Sequence, residues 1–205
     1  MEEILKLGQD AEVDLFAPDY LAKIEKIKLP NTKIRLLQQL LAKAIAALKK
    51  VNKLKGVDFG KQFQALVQRY NERDEQDILR SEVLSDFTNE IIGLYQAIKA
   101  EQDSLSQLGV DIAEKAFYDI LKELTIRYDF HYPEDKLLVL AKKVKGIVDD
   151  KAKYTDWSQR EDIKAELKVD LIILLAENGY PPIDRDEVYQ EIFEQAENFK
   201  QYQEA

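Results

Sequence analysis

Between Leu79 and Leu108 apolar residues return every three or four positions, as Leu79, Val83, Phe87, Ile91, Leu94, Ile98, Leu105 and Leu108, with no proline in the run. That spacing brings them to one face of a helix, because 3.6 residues complete a turn. Thirty residues at 1.5 Å each make a rod of about 45 Å, enough to cross a whole domain. A chain holding such a strut must arrange its remaining apolar surface around helices.

The rest of the sequence agrees with that demand. Glycine (7) and proline (5) are scarce in 205 residues, too few for the turns of a many-stranded sheet. A short helix is predicted from near Pro18 to about Lys28, broken at Pro30-Asn31. Ile34, Leu37, Leu41, Ile45, Leu48 and Val51 mark a second helix, with Gly56 as its expected stop. Phe59, Phe63, Leu66, Val67 and Tyr70 mark a third, ending in the polar run NERDEQD. Gly109 closes the long helix. Asp111 and Glu114 have the spacing of a capping box ahead of Phe117, Ile120, Leu121 and Leu124. Pro133 opens a helix through Leu137, Leu140, Val144 and Ile147. Asp156 is the expected cap of a helix bearing Ile163, Leu167, Leu171 and Leu174, closed by Asn178-Gly179. A last helix from about Asp184 carries Val188, Ile192, Phe193 and Ala196. Within this series the run VDLIILLA (169–176) could be read as a strand. Its place in a longer periodic segment makes it a helix, expected to be buried on most sides. The fold class is therefore all-α, an irregular multi-helix bundle of seven or eight helices with one long central helix. It is read as a single helical region over 1–205, with sub-parts 1–108 and 109–205.

Composition then limits the chemistry. With no cysteine the chain can form neither disulfides nor thiolate metal sites, which fits a reducing cytoplasm. No apolar run reaches the roughly 20 residues that span a bilayer, so no membrane partner is expected. There is no phosphate-cradling GxxxxGK[ST] loop, no GxGxxG and no HExxH. The single histidine, His131, has no cysteine or second histidine with which to hold zinc. Asp74-Glu75-Gln76-Asp77 imitates an acidic Mg²⁺ box, but follows a polar run instead of an apolar strand. Glu134-Asp135-Lys136 has the E-x-K form of nuclease sites; similar triplets at 162–164 and 166–168 mark it as background in a chain that is 34% charged. Glu187, Glu191 and Glu194 share a helical face and read as a solvated one. No metal, cofactor or catalytic residue is expected in the chain itself.

Charge is distributed unevenly. Lys23 to Lys61 contains eleven Lys or Arg against Glu25 and Asp58, giving +9, so with −9 overall the rest carries −18. Lys43, Lys49, Lys50, Lys53 and Lys55 could therefore track the phosphates of DNA, or simply cover helix faces in water.

Ordered motifs occupy the second half: GVDIAEKAFYDIL (109–121), YTDWSQREDIKAELK (154–168), NGYPP (178–182) and EIFEQAENF (191–199). FGKQFQALVQRYNER (59–73) lies upstream of them. This series resembles the C-terminal helical region of the restriction (R, motor) subunit of type I restriction-modification enzymes. Where that family often has arginines after DW, this chain has Lys164 and Lys168. The resemblance implies a piece of a larger protein whose ATP and Mg²⁺ chemistry lies in other domains. It also implies a role in fastening the motor subunit to the modification and specificity subunits of the methyltransferase. Arg160, Trp157 and Tyr180 are the candidate partner contacts. Trp157 has a packing reading beside that one, and Arg160, expected in a first helical turn, calls for an acidic partner.

Overall fold

The computed structural model of the chain describes residues 18–73, 81–152, 157–180 and 186–203. Among these residues there are eight α-helices, one 3₁₀ turn and no strand. The helices are α1 Pro18–Glu25, α2 Pro30–Val51, α3 Lys53–Asn71, α4 Ser81–Leu108, α5 Ile112–Arg127, α6 Glu134–Ala152, α7 Glu161–Glu177 and α8 Asp186–Gln203. The 3₁₀ turn is Trp157–Gln159. The all-α expectation holds. The acidic run 74–77, Leu79, Asp156, Pro181 and Pro182 lie outside the described residues.

Local signals explain most boundaries. Asp111 caps α5 through its side chain on the Glu114 N–H, and Glu114 returns the bond to the Asp111 N–H, completing the capping box. Gly109 and Gly179 adopt positive φ (63° and 65°) just after α4 and α7. At Gly179 the backbone closes with Tyr180 N donating to Leu175 O (2.9 Å) and Gly179 N to Ala176 O (3.0 Å). This is the paired-bond stop that turns the following residue inward.

Two boundaries differ from the sequence reading, and a third had no signal in it. Gly56 does not end α2: it is buried inside α3. The break falls at Asn52, whose Oδ1 accepts from the Lys55 N–H (3.1 Å) and so caps α3. Asparagine competes well for a helix N-terminus, whereas glycine merely permits an end. At the end of α5 no glycine is present; Asp129 takes the left-handed conformation (φ 51°), with Phe130 N donating to Thr125 O (3.0 Å). Finally, α7 begins at Glu161 with Arg160 at its N-cap position, donating no side-chain cap.

The chain divides into two compact units. The first comprises Met1–Leu48 and Gly56–Ser104. Its core is the inner face of α2 (Ile34, Leu37, Leu40, Leu41, Ala44, Ile45, Leu48) with Leu66, Phe87, Ile91, Tyr95 and Ile98. Tyr70 stacks on Phe87 with ring centroids 4.0 Å apart, and Arg69 pairs with Glu90 at 2.9 Å.

The second unit comprises Lys49–Lys55 and Leu105–Ala205. In it α5 packs on α6, α6 on α7, and α8 on α5 and α6, while the 3₁₀ turn lies against α6 and α7. Its core joins Phe117, Leu121 and Leu124 to Leu140, Val144, Trp157, Leu167, Leu171, Tyr180 and Ile192.

Residues 49–55 belong to this unit because its helices satisfy the open ends of α2 and α3. The Asn198 amide donates to the carbonyls of Lys49 (3.0 Å) and Lys50 (2.8 Å). Gln195 donates to the Val51 carbonyl (3.2 Å) and accepts from the Lys53 N–H (2.8 Å). Carbonyls and N–H groups at a helix break have no partner within the helix, so α8 supplies what the break lacks.

Candidate functional site

The motifs that carry the family resemblance can be followed residue by residue into the second unit. In AFYD, Ala116 and Phe117 are buried in the core. Tyr118 forms a hydrogen-bonded cluster with Glu134 and Lys122. Asp119, 5% exposed, accepts from Lys115 Nζ (2.6 Å) and from the Asn52 amide (2.6 Å). In EIFEQAENF, Gln195 and Asn198 hold the α2–α3 break, and Glu191 pairs with Arg127. Asn178, Gly179 and Tyr180 supply the stop after α7. These motifs therefore specify how the unit is assembled.

The candidate partner contacts occupy different environments. Trp157 is 0% exposed and sits in the core; its indole N–H has no hydrogen-bond partner among the described residues. Tyr180 is 1% exposed, donates its hydroxyl to the Leu121 carbonyl (2.8 Å) and meets Phe130 and Tyr132 edge-on, each at 5.1 Å. Burial drives its phenol pKa well above the ordinary value. Neither side chain presents a surface on which a partner could dock. Only Arg160 is exposed, and it forks onto Asp162 (3.2 and 2.5 Å). Its acidic partner is thus local. Trp157 and Arg160 lie just before α7 and Tyr180 just after it, separated by a helix about 26 Å long. They do not form one patch.

The candidate nucleic-acid lysines are also dispersed. Lys43 is exposed in the first unit; Lys49 and Lys50 are exposed at the end of α2. Cations there complement the negative end of the helix dipole. Lys53 is half-buried and paired with Glu194 at 2.6 Å, and Lys55 is half-buried in the first turn of α3.

The acidic look-alikes resolve into separate ion pairs. Glu194 faces Lys53 and Glu191 faces Arg127; the side chain of Glu187 lies outside the described residues. Glu166 and Asp170 share Lys151 (3.0 and 3.2 Å). Among the described residues no three His, Cys, Asp or Glu side chains converge as a metal site requires. His131 is exposed in the loop between α5 and α6.

The Glu134 carboxylate is held below its usual pKa. The Tyr118 hydroxyl is the main cause, and the Lys122 ammonium, 2.9 Å away, adds to it. Burial first, and Glu134 second, push the Tyr118 phenol up, so it remains a donor. A depressed carboxylate pKa stabilises the fold above the unfolded value of about 4.3 and loses that contribution as pH falls through the folded value. Glu134 is largely exposed, so solvent screening keeps the contribution below about 1 kcal/mol. Glu134→Gln is expected to flatten the dependence of thermal stability on pH below about pH 5 and to change it little near pH 7. Parallel acid profiles for the two proteins would show that Glu134 carries no such linkage.

The feature that sequence reasoning misjudged is α7. It is a helix, but it is not buried on most sides: Val169 is 53%, Ile172 43% and Ile173 50% exposed. Ile163, Leu167, Leu171 and Leu175 supply the buried stripe. The available signal was that the apolar residues fall on two opposite faces of α7, with Glu166, Lys168 and Asp170 between them, so that one of the two faces exceeds what a single covered stripe needs.

A family model described as "Type I restriction enzyme HindI endonuclease subunit-like, C-terminal" matches residues 1–202. The chain is 22% identical over 205 residues to a Methanocaldococcus jannaschii protein named as the type I restriction enzyme MjaIXP endonuclease subunit. That match takes in 96% of this chain and 18% of the relative, so the chain spans under a fifth of the relative's length. No solved structure matches.

Proposed function

The chain belongs to the family formed by the C-terminal region of type I restriction endonuclease subunits, and we propose that it is the non-catalytic docking module of such a subunit. It fastens the ATP-driven, DNA-translocating nuclease to the modification and specificity subunits of the methyltransferase. The observation that carries this reading is the fate of the described motif residues: AFYD, Trp157, Asn178-Gly179-Tyr180 and QAE are spent on packing, capping and internal bonds. What they build is a packed helical unit, which is what attachment needs. ATP and Mg²⁺ belong in this reading to the rest of the subunit. What supports that placement is that the sequence has no phosphate-binding glycine loop and that, among the described residues, no three His, Cys, Asp or Glu side chains gather. Among the described residues no helix is long and apolar enough to cross a membrane, and the reading places the complex in the cytoplasm.

The test is assembly. A subunit lacking Leu105–Ala205 is expected to lose co-purification with the methyltransferase complex while keeping DNA-stimulated ATPase activity. Undiminished assembly would sink the docking role. A second reading, in which the exposed Lys43, Lys49 and Lys50 touch DNA, predicts weak, sequence-indifferent binding that falls steeply with salt. Charge reversal at Lys49 and Lys50 should then reduce the salt slope; a slope unaltered by that change removes this reading.

A further inference from the structure

The break between α2 and α3 falls on Asn52 alone, and the sequence around it contains nothing that forbids a helix. Residues 49–55 read KKVNKLK, with no proline and no glycine, and lysine and leucine are good helix formers. Asn52 favours a helix start through its side chain without excluding the interior of one. The chain nevertheless folds back sharply here: Ile45 Cγ2 lies 3.8 Å from the place a β-carbon on Gly60 would take. In one unbroken helix positions 45 and 60 would stand about 22 Å apart.

The groups that hold the bend are the ones a continuous helix would pair with each other. Unbroken, the N–H groups of Lys53, Leu54 and Lys55 would donate to the carbonyls of Lys49, Lys50 and Val51. In the bend those three carbonyls are taken by α8, through Asn198 for the first two and Gln195 for the third. The Lys53 N–H goes to Gln195 and the Lys55 N–H to the Asn52 side chain. Both arrangements satisfy the same backbone groups, which is the condition for an element with two stable forms. The bent form has two further ties, from the Asn52 amide to Asp119 on α5 and from Lys53 to Glu194 on α8, each 2.6 Å long. Packing of α3 itself adds little, since only Gly56 and Leu66 among its residues are buried.

We propose that the α2–α3 corner is a two-state switch set by α8. With α8 seated the chain bends at Asn52; with α8 lifted, residues 49–55 close into one helix that runs from α2 into α3. The switch does not depend on the docking role proposed above.

The chain has no cysteine, so Ala42→Cys and Gln64→Cys, at exposed sites of α2 and α3, can carry a spin-label pair without other changes. Pulsed electron resonance on the full chain reads the distance between the labels. A single short distance is expected while α8 is intact. Gln195→Ala with Asn198→Ala should add a second population near about 33 Å, the length of helix between positions 42 and 64, with no loss of helical circular dichroism. Lys53→Pro in that background should abolish the long population, because proline suits the first turn of a helix but not its interior. Should the two alanine changes melt the chain, Asn52→Ala with α8 untouched removes the cap and the Asp119 bond, and should show the same long population at lower occupancy. A distance that stays short in every folded variant would overturn the switch. So would a broad distribution with lost helicity, or a long population that survives Lys53→Pro, since the corner would then fray instead of straightening.

Discussion

Asp119→Ala is expected to destabilise the second unit by about 3–5 kcal/mol, the usual cost of removing one partner from a buried ion pair. Lys115 and Asp119 meet at 2.6 Å with side chains 8% and 3% exposed. Removing the carboxylate takes the paired charge from the buried Lys115 ammonium and deprives the Asn52 amide of its acceptor. Asn52 also caps α3, so the damage spreads to the α2–α3 break. Lys115→Met with Asp119→Leu removes both charges at similar volume and should recover most of the loss. About 1–2 kcal/mol should remain for the orphaned amide. Urea unfolding of the three proteins separates these cases. A single variant no less stable than the double would show that the pair is not buried in the sense claimed.

Trp157→Ala carries the other large effect. The side chain is 0% exposed and sits beside α6 and α7, and truncating a buried tryptophan costs about 3–5 kcal/mol through lost burial and the cavity left behind. Trp157→Phe should cost much less than the volume change alone implies, because it also deletes a buried N–H without a partner among the described residues. Thermal unfolding distinguishes the outcomes. If alanine and phenylalanine are equally damaging, an unseen bond to the indole nitrogen supports Trp157.

These two residues show what the sequence makes legible. Period and punctuation are local properties, so the eight helices, the Asp111–Glu114 box and the stops at Gly109 and Gly179 can be read from neighbouring residues. The break at Asn52 is harder. Its cap is local, but the reasons it is stable are Asp119, Gln195 and Asn198, 67 to 149 positions away from the residues they hold. Gly56 offered a stop that packing overrode, and Asp129 ended a helix with no glycine to announce it.

The candidate contacts were legible as motif residues but not as surface or core. Tyr180 follows the α7 stop as its inward-turned residue, a position no count of its neighbours reveals. The α7 run was legible as apolar. Apolarity reports that a face will be covered, not whether the chain or a partner covers it.

The central claim is that this chain alone recognises the methyltransferase core. The direct measurement is a titration of the 205-residue chain into the assembled modification–specificity complex, followed by calorimetry or sedimentation. Saturable binding is expected, together with competition against the intact endonuclease subunit. The contrary result is an absence of binding and competition, with a subunit lacking Leu105–Ala205 still joining the methyltransferase complex at full affinity.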